Sequence, residues 1–385
     1  MNKQWIHTID NVLVAGDEVG HAASCFHTFP SLTRCKDGSL ICTVLVGATK
    51  SGPDGRTRVF RSIDDGKSWS PVNSPTRWDE REHPHCGYLM CHIAELSPKR
   101  LLAVYMRADR FVPDEPLFHP TTSGMQRTTV RLSESTDGGT TWSPPWDLDY
   151  QLPDLIVPGR INHMPDGALA VPFEVWHEWD KGFREGPSTR MIFSRDGGKT
   201  WPQEGIIARD AHRRLIYGDP RPTLLPDGRI VVLLWKHDFV AEQDHPSHCS
   251  ESRDGGLTWS PPRSTGIAGQ IANPVALGGG VVVAFYQKRF KPGSPGICAI
   301  LSFDDGATWL SETDTLVWTA PTQNAGTNPF SGYEMYSFGY SSAIRCPDNS
   351  ILLTFWAGNG PTTCIRMMRL QVDRIVRHEK RESNP

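Results

Sequence analysis

The sequence lacks the features that mark several large classes of protein. No apolar run approaches the roughly 20 residues that a membrane-spanning helix needs. No block of basic residues is present and the formal net charge is −3, so nothing favours nucleic acid or an anionic membrane as a partner. The first twenty residues lack the apolar stretch and cleavage site of a secretory signal. We therefore expect a cytoplasmic protein with no nucleic-acid or membrane partner.

Motifs for cofactors, metals and serine nucleophiles are also missing. The nine cysteines are odd in number and scattered, which favours free thiols in a reducing compartment over a disulfide framework. The glycine triplet at 278–280 is not followed by the Lys-Ser/Thr of a phosphate loop, and no G-x-S-x-G elbow occurs. We expect no cofactor.

One cluster contains side chains that are able to bind zinc, but its spacing matches no standard metal site. Its members are His83, His85, Cys86, Cys91 and His92. Alternation along a strand would place these ligands on opposite faces, so we expect no metal here. A general base at His83 or His85 is a second interpretation, because histidine titrates near neutral pH.

What is present is a pattern of eight residues, S-x-D-x-G-x-T/S-W, that occurs five times. The copies are SIDDGKSW (62–69), STDGGTTW (135–142), SRDGGKTW (194–201), SRDGGLTW (252–259) and SFDDGATW (302–309). The aspartate can accept hydrogen bonds from its own turn, the glycine permits a positive φ, and the tryptophan buries a large ring. Each copy therefore predicts a stapled β-hairpin, and the recurrence predicts a repeat architecture.

A second, weaker repeat precedes each copy of the eight-residue pattern and consists of two apolar strands joined by a polar turn. Its six copies lie at 29–45, 87–106, 159–175, 219–235, 272–287 and 340–356. Alternating side chains and D-G or P-D turns favour β-hairpins. Six hairpins predict an all-β, six-bladed β-propeller in one domain over residues 1–385. We expect segment 5–14 to close the last blade beside a strand near 364–372, which would remove a free sheet edge.

The octets resemble the Asp boxes, or BNR repeats, of the sialidase superfamily, and the resemblance covers residues 29 to 356. In that family the box joins the outer strands of a blade, on the rim away from the active site. The resemblance therefore implies a structural role for all five boxes.

The propeller predicts one functional face. The residues that enter the first strand of each blade and leave the second lie at the same end of the hairpin, around the axis. From these positions we select eight candidates for binding a sugar: Arg160, Arg289, Lys236, His85, Arg107, Glu174, Arg221 and Trp235. Their charged and aromatic chemistry suits an anionic sugar. The alternative is that many of them are ordinary solvated strand ends.

The resemblance also implies catalytic residues, since sialidases use a tyrosine nucleophile, a glutamate beside it and an aspartic acid/base. Tyr340 matches the tyrosine, Asp219 stands where the family has glutamate, and Asp54 lies in the loop of the acid/base. Tyrosine has an unperturbed pKa of about 10, so a neighbouring carboxylate is needed for it to react near neutral pH. The alternatives are a buried aromatic for Tyr340, a partner of Arg221 for Asp219, and a turn residue for Asp54.

The arginine clamp of the family, which binds the carboxylate of sialic acid, is not matched. Thr28 stands in the first clamp position and Trp235, followed by Lys236, in the second. Only Arg289, with Arg160 from another blade, is available as a replacement. Because threonine cannot bind a carboxylate in the bidentate manner of arginine, another acidic sugar or a neutral sugar is favoured over sialic acid.

Three functions follow. The first is a glycoside hydrolase that releases a terminal sugar. The second is a lyase acting on a uronic-acid sugar, with Tyr340 or His85 as base and a cation from Arg160, Lys236 or Arg289 on the carboxylate. The third is a glycan-binding propeller without catalytic activity.

Overall fold

The structure is a computed structural model that describes residues 5–16, 25–76, 86–109, 115–150, 155–180, 187–289, 293–321, 336–358 and 362–373. These ranges contain strands and turns and no α-helix. None of the described segments is therefore a helix long and apolar enough to cross a membrane.

The strands form six antiparallel sheets. In chain order, β1 (Ile6–Ala15) comes first. Blade one has β2 (Phe26–Arg34), β3 (Leu40–Gly47), β4 (Arg56–Ser62) and β5 (Ser70–Val72), and blade two has β6 (Cys86–Ser97), β7 (Arg100–Asp109), β8 (Thr128–Ser135) and β9 (Trp146–Asp147). Blade three has β10 (Leu155–Ile156), β11 (Asn162–His163), β12 (Leu169–Val175), β13 (Ser188–Ser194) and β14 (Gln203–Arg209).

The remaining three blades follow the same plan. Blade four has β15 (Leu215–Leu224), β16 (Ile230–Asp238), β17 (Gln243–Ser252) and β18 (Arg263–Ser264). Blade five has β19 (Gln270–Gly278), β20 (Val281–Lys288), β21 (Gly296–Ser302) and β22 (Leu310–Thr319). Blade six has β23 (Phe338–Arg345), β24 (Ile351–Gly358) and β25 (Thr363–Val372), and β1 is its outer strand.

The predicted six-bladed β-propeller is confirmed, with the first strands of the blades packed around the axis. β1 pairs antiparallel with β25, from Ile6 opposite Val372 to Ala15 opposite Ile365. Blade three departs from the plan because its first strand is broken into β10 and β11, which both pair with β12. Pro158, between the two pieces, has no N–H to donate to the ladder.

Each Asp box joins the last two strands of its blade, as the third box shows between β13 and β14. Ser194 Oγ donates to Asp196 Oδ1 (2.8 Å) and accepts the N–H of Gly198 (2.8 Å). The Asp196 carboxylate accepts the N–H (2.9 Å) and the hydroxyl (2.6 Å) of Thr200. Gly198 has a φ of 91°, and its carbonyl accepts the indole N–H of Trp201 (3.2 Å). None of the box residues lines the axial cavities described below.

Candidate active site

A β-bulge turns the first strand of five blades towards the axis. The two unpaired residues of each bulge follow Thr28, Tyr88, Gly218, Gln270 and Gly339. In four bulges the first unpaired residue has a positive φ: 48° at Phe29, 51° at Asp219, 53° at Ile271 and 40° at Tyr340. This conformation is unfavourable for residues other than glycine, and bulges commonly re-aim side chains next to active sites.

The bulges correct one expectation from the sequence. We expected functional side chains where the first strand begins, but Asp219 is the fifth residue of β15 and Tyr340 is the third of β23. Both side chains reach the axis because the extra residue rotates the strand at that point.

The bulged residues line an axial cavity to which all six blades contribute. Its charged and polar lining residues are Lys50, Glu174, Asp219, Gln270, Arg289, Tyr336 and Tyr340. Its apolar walls are Phe29, Met90, Phe118, Ile156, Trp176, Trp235, Ile271 and Trp356. Such walls around a few polar groups are typical of a small-molecule site.

Tyr340 is buried in the floor of this cavity. Its hydroxyl donates to the carbonyl of Pro158, and the Arg221 guanidinium lies 4.6 Å from the centre of its ring. Burial raises the pKa of Tyr340 above its ordinary value, and the nearby carboxyl groups of Asp219 and Glu174 raise it further, while Arg221 opposes them. The hydroxyl is therefore protonated in this structure.

Two carboxyl groups lie side by side next to Tyr340. Glu174 accepts the backbone N–H of Asp219. Burial raises the pKa of Glu174 well above its ordinary value, and the charge of Asp219 adds to this. Burial also raises the pKa of Asp219, but Arg221, Arg289 and Lys50 oppose the shift. Of the two carboxyl groups, Glu174 therefore favours its protonated form more strongly than Asp219 does.

Lys50 brings a buried ammonium into the cavity. Its Nζ lies 4.5 Å from the ring centre of Tyr336, 5.4 Å from Trp356 and 5.8 Å from Phe29, distances at which cations are attracted to aromatic rings. Lys50 was not predicted from the sequence, although Asp54 in the same loop was. The position of Lys50 just after the second strand of blade one could have identified it, because binding residues were sought at that position in other blades.

Arg289 is the second cation of the cavity. Its Nη1 donates to Gln270 Oε1 (2.6 Å), its Nε donates to the carbonyl of Phe338 (3.2 Å), and its guanidinium lies 4.3 Å from the ring centre of Tyr336. The absence of a side chain at Gly339 permits this approach, because a Cβ there would lie 1.8 Å from Arg289 Nη2.

Asp244, on the outer side of blade four, holds this wall in place. Its carboxylate accepts the indole N–H of Trp235 (2.9 Å), Nδ1 of His237 (2.8 Å) and the amide of Gln270 (2.5 Å). Gln270 in turn accepts a hydrogen bond from Arg289. The Asp244 carboxylate therefore orients both the aromatic wall at Trp235 and the cation at Arg289.

Of the predicted residues, Tyr340, Asp219, Glu174, Trp235 and Arg289 meet in this cavity. Arg221 lies behind Tyr340, where it donates to Asp219 Oδ1 (3.3 Å). Arg221 is therefore placed behind the cavity wall and does not line the cavity.

Three predicted cations lie away from the cavity, which corrects the expectation that they gather around it. Arg160 lies in the break between β10 and β11 and donates to the carbonyl of Ala343 (3.1 Å), on the far side of Tyr340. Lys236 follows Trp235 and so points to the other face of β16, where its Nζ lies 3.4 Å from His248. Arg107 forms an ion pair with Asp109 at 2.8 Å.

Asp54 does not line the cavity either. Its Oδ2 accepts the N–H of Ala48 (2.7 Å), so it closes its own loop. His83 and His85 lie outside the described residues.

The described part of the His/Cys cluster packs between blades. His92 contacts Ser31 Oγ and the carbonyl of Val157, each at 2.9 Å, and burial lowers the pKa of His92 to about 4. The described residues contain no group of His, Cys, Asp and Glu side chains arranged for a metal ion.

Comparison with known proteins agrees with this architecture. The model of the BNR repeat-like domain matches residues 116–353, which is more than half of the chain. The chain belongs to the BNR repeat-like family. A sialidase of Bacteroides fragilis is 26% identical over 203 residues, which cover 48% of this chain and 34% of the relative, so the chain matches about a third of the relative's length.

Solved structures share the fold. A protein of unknown function from Dyadobacter fermentans has a TM-score of 0.71 at 19% identity, covering 96% of this chain and 99% of its own. A Hadza microbial sialidase has a TM-score of 0.64 at 18% identity, covering 91% and 66%. The sialidase of Trypanosoma rangeli in complex with sialic acid has a TM-score of 0.62 at 13% identity, covering 96% and 58%. The chain thus has the sialidase-like propeller fold.

Proposed function

We propose that the protein is a glycoside hydrolase that releases a terminal acidic sugar other than sialic acid. The observation that carries this proposal is the meeting of two carboxyl groups, Glu174 and Asp219, with two cations, Lys50 and Arg289, on the axis of a sialidase-like propeller. Pairs of carboxyl groups with separated proton affinities are typical of glycoside hydrolysis. The Bacteroides fragilis sialidase supports the choice of reaction class.

Lys50 and Arg289 are the groups that we propose for the carboxylate of the sugar. Both are buried in the cavity wall and both bring their charge to bear on the Asp219 carboxyl, so their positive charge faces the reacting region. Burial strengthens such charge-assisted contacts relative to water. Thr28 and Trp235 occupy two places where sialidases carry clamp arginines, which is why we propose a simpler uronic-type acid as substrate.

Glu174, in place of Asp54, is the proposed proton donor. The sequence assigned leaving-group protonation to Asp54, but that carboxylate is engaged with its own loop. Glu174 lines the cavity and keeps its proton because burial and Asp219 disfavour its charged form. A carboxylic acid that is protonated near neutral pH can act as a general acid.

The proposed reaction has two steps. Tyr340 Oη attacks the anomeric carbon and passes its proton to Asp219, while Glu174 protonates the departing glycosidic oxygen and the bond to that oxygen breaks. Water then attacks the same carbon and the bond between that carbon and Tyr340 Oη breaks, while Glu174 takes a proton from the water and Asp219 returns its proton to Tyr340. In this structure the Tyr340 hydroxyl donates to Pro158, so substrate binding has to redirect that bond towards Asp219.

A panel of fluorogenic 4-methylumbelliferyl glycosides tests the proposal. We expect release from a glucuronide or iduronide, and much slower release from a sialoside or a neutral galactoside. The variants E174Q and D219N should each lower kcat/KM by about 100-fold or more. Y340F should abolish turnover, and K50M should lower kcat/KM by about tenfold or more through the loss of carboxylate binding. K199M, an exposed lysine in the third Asp box, is the matched control and should be unchanged.

Two outcomes would overturn hydrolysis in favour of the other functions. An unsaturated, ultraviolet-absorbing product from a polyuronate, without release from any glycoside, would show a lyase. Binding of uronic oligosaccharides that K50M weakens, without any product, would show a glycan-binding propeller.

A further inference from the structure

A second cavity opens on the axis at the opposite end from Tyr340. All six blades line it, through residues that include Thr33, Ile93, Ile161, Thr223, Val275 and Ile344. Its volume is about 480 Å³, against about 100 Å³ by the same measure for the cavity beside Tyr340. A small third cavity, bordered by both Tyr340 and Arg160, lies between them. The second cavity is therefore separate from the proposed active site and several times larger.

The charged side chains around the second cavity are mainly cationic. Its basic lining residues are Arg34, Lys36, Arg160 and Arg345, whereas Glu95 is its one acidic lining residue among those described. The Glu95 carboxylate accepts the backbone N–H of Lys36 (2.6 Å), so part of its charge is already used at the wall. The described lining thus has a positive charge in excess.

Two of the cations have partners at the wall. Arg34 pairs with Asp65 at 2.6 Å, although its Nε is buried without a hydrogen-bond partner. Arg345 donates to Asn349 Oδ1 (3.0 Å). These contacts hold both guanidinium groups at the edge of the cavity.

Arg160 has no acidic partner among the described residues. Its hydrogen bond is to a neutral group, the carbonyl of Ala343 (3.1 Å), and it forms no ion pair with a described acid. Burial lowers the pKa of Arg160, and no described carboxylate opposes that shift. Arg160 is half-buried at the cavity wall, and a guanidinium partly removed from water without an opposite charge is less stable than a paired one.

We propose that this cavity is a binding site for a tetrahedral oxyanion, phosphate or sulfate, with Arg160 as its main contact. The anion supplies the missing opposite charge, and the forked guanidinium suits a phosphate or sulfate group. The volume leaves room for a sugar attached to the anion, so the source is either a free ion or a phosphorylated or sulfated sugar.

Calorimetric titration with inorganic phosphate and with glucose 6-phosphate, at ionic strength held constant with sodium chloride, tests the site. We expect saturable binding of at least one probe and a dissociation constant at least tenfold weaker in R160Q. R131Q is the matched control, because Arg131 pairs with Asp147 on the outer strands of blade two at 2.9 Å. Tighter binding of glucose 6-phosphate would identify a sugar-linked anion, and equal or tighter binding of phosphate would identify the free ion.

Thermal unfolding separates an anion site from a purely structural arginine. Without phosphate, R160Q should melt at the same temperature as the wild type or higher, because an uncompensated charge has been removed. With saturating phosphate the order should reverse. Equal melting differences in both buffers, or the same phosphate affinity in R160Q and the wild type, would overturn the proposal.

A crystal soaked in tungstate gives a readout that needs no variant. Anomalous density beside Arg160 is the expected result, and density elsewhere alone, or none, would overturn the site.

Discussion

Replacement of Glu174 by glutamine should change how the stability of the protein depends on pH. Glutamine keeps the size of the side chain and an oxygen that can accept the N–H of Asp219, but it cannot ionise. In the folded wild type, burial and the charge of Asp219 hold the pKa of Glu174 well above its ordinary value of 4.5. Above pH 4.5 the unfolded chain therefore loses a proton that the folded chain retains.

This difference in proton binding sets the sign and the scale of the effect. Where the folded state binds more protons than the unfolded state, the free energy of unfolding falls as pH rises. The fall begins near pH 4.5 and ends at the folded pKa, and each pKa unit contributes about 1.4 kcal/mol. E174Q lacks this proton, so its free energy of unfolding minus that of the wild type should grow with pH, by more than about 1.4 kcal/mol between pH 4 and pH 8.

Urea unfolding followed by tryptophan fluorescence at the two pH values measures the difference. E312Q, which replaces an exposed glutamate on β22, is the control and should show no change with pH relative to the wild type. A difference between E174Q and wild type that stays constant, or shrinks as pH rises, would mean that Glu174 is ionised in the folded protein. In that case Glu174 could not be the proton donor, whatever the activity of the variant.

Three further predictions concern stability and are measured by urea unfolding. Gly198→Ala should lower the free energy of unfolding by about 2 kcal/mol or more, because its Cβ would lie 2.4 Å from Leu102 at a φ of 91°, whereas Gly167→Ala, at 85° but in open space, should lose only about 1 kcal/mol. In the wild type the buried imidazole of His92 resists protonation, so the free energy of unfolding should fall by roughly 3 kcal/mol as pH drops from 6.5 to about 4. His92→Gln cannot titrate in this range and should lack this part of the fall. An unchanged dependence of stability on acid pH in the variant would contradict this. Leu353→Ala should lower the free energy of unfolding by about 2–5 kcal/mol, since this side chain is fully buried between blades five and six, and a loss below about 1 kcal/mol would refute tight packing there.

The blades and boxes could be predicted because the interactions that form them are local. Ser194, Asp196, Gly198 and Thr200 bond to one another within one turn, so the pattern of residue types is enough to identify the hairpin. Alternation along each strand and a short turn likewise define each inner hairpin without distant contacts. For this reason the repeat count and the propeller fold followed from the order of residues.

The membership of the site depended on contacts between distant parts of the chain. Phe29 and Tyr340 are more than 300 residues apart and touch edge to face with ring centres at 5.3 Å. A single extra residue in the first strand of five blades decides which side chains reach the axis, and strand periodicity does not reveal where that residue lies. Tyr340 and Asp219 could be selected from the sequence, while the placement of Lys50 in an aromatic cage and of Arg160 beyond the floor could not.

By itself, then, the order of residues determined the six blades, the five stapled turns and the end of the propeller where polar side chains collect. Only the tertiary structure decided which of those side chains share one cavity and how their protons are distributed. The physical reason is that turns and hairpins are stabilised by neighbours in the chain, whereas the charge state of Glu174 depends on Asp219 and on burial by six blades that meet only when the ring closes.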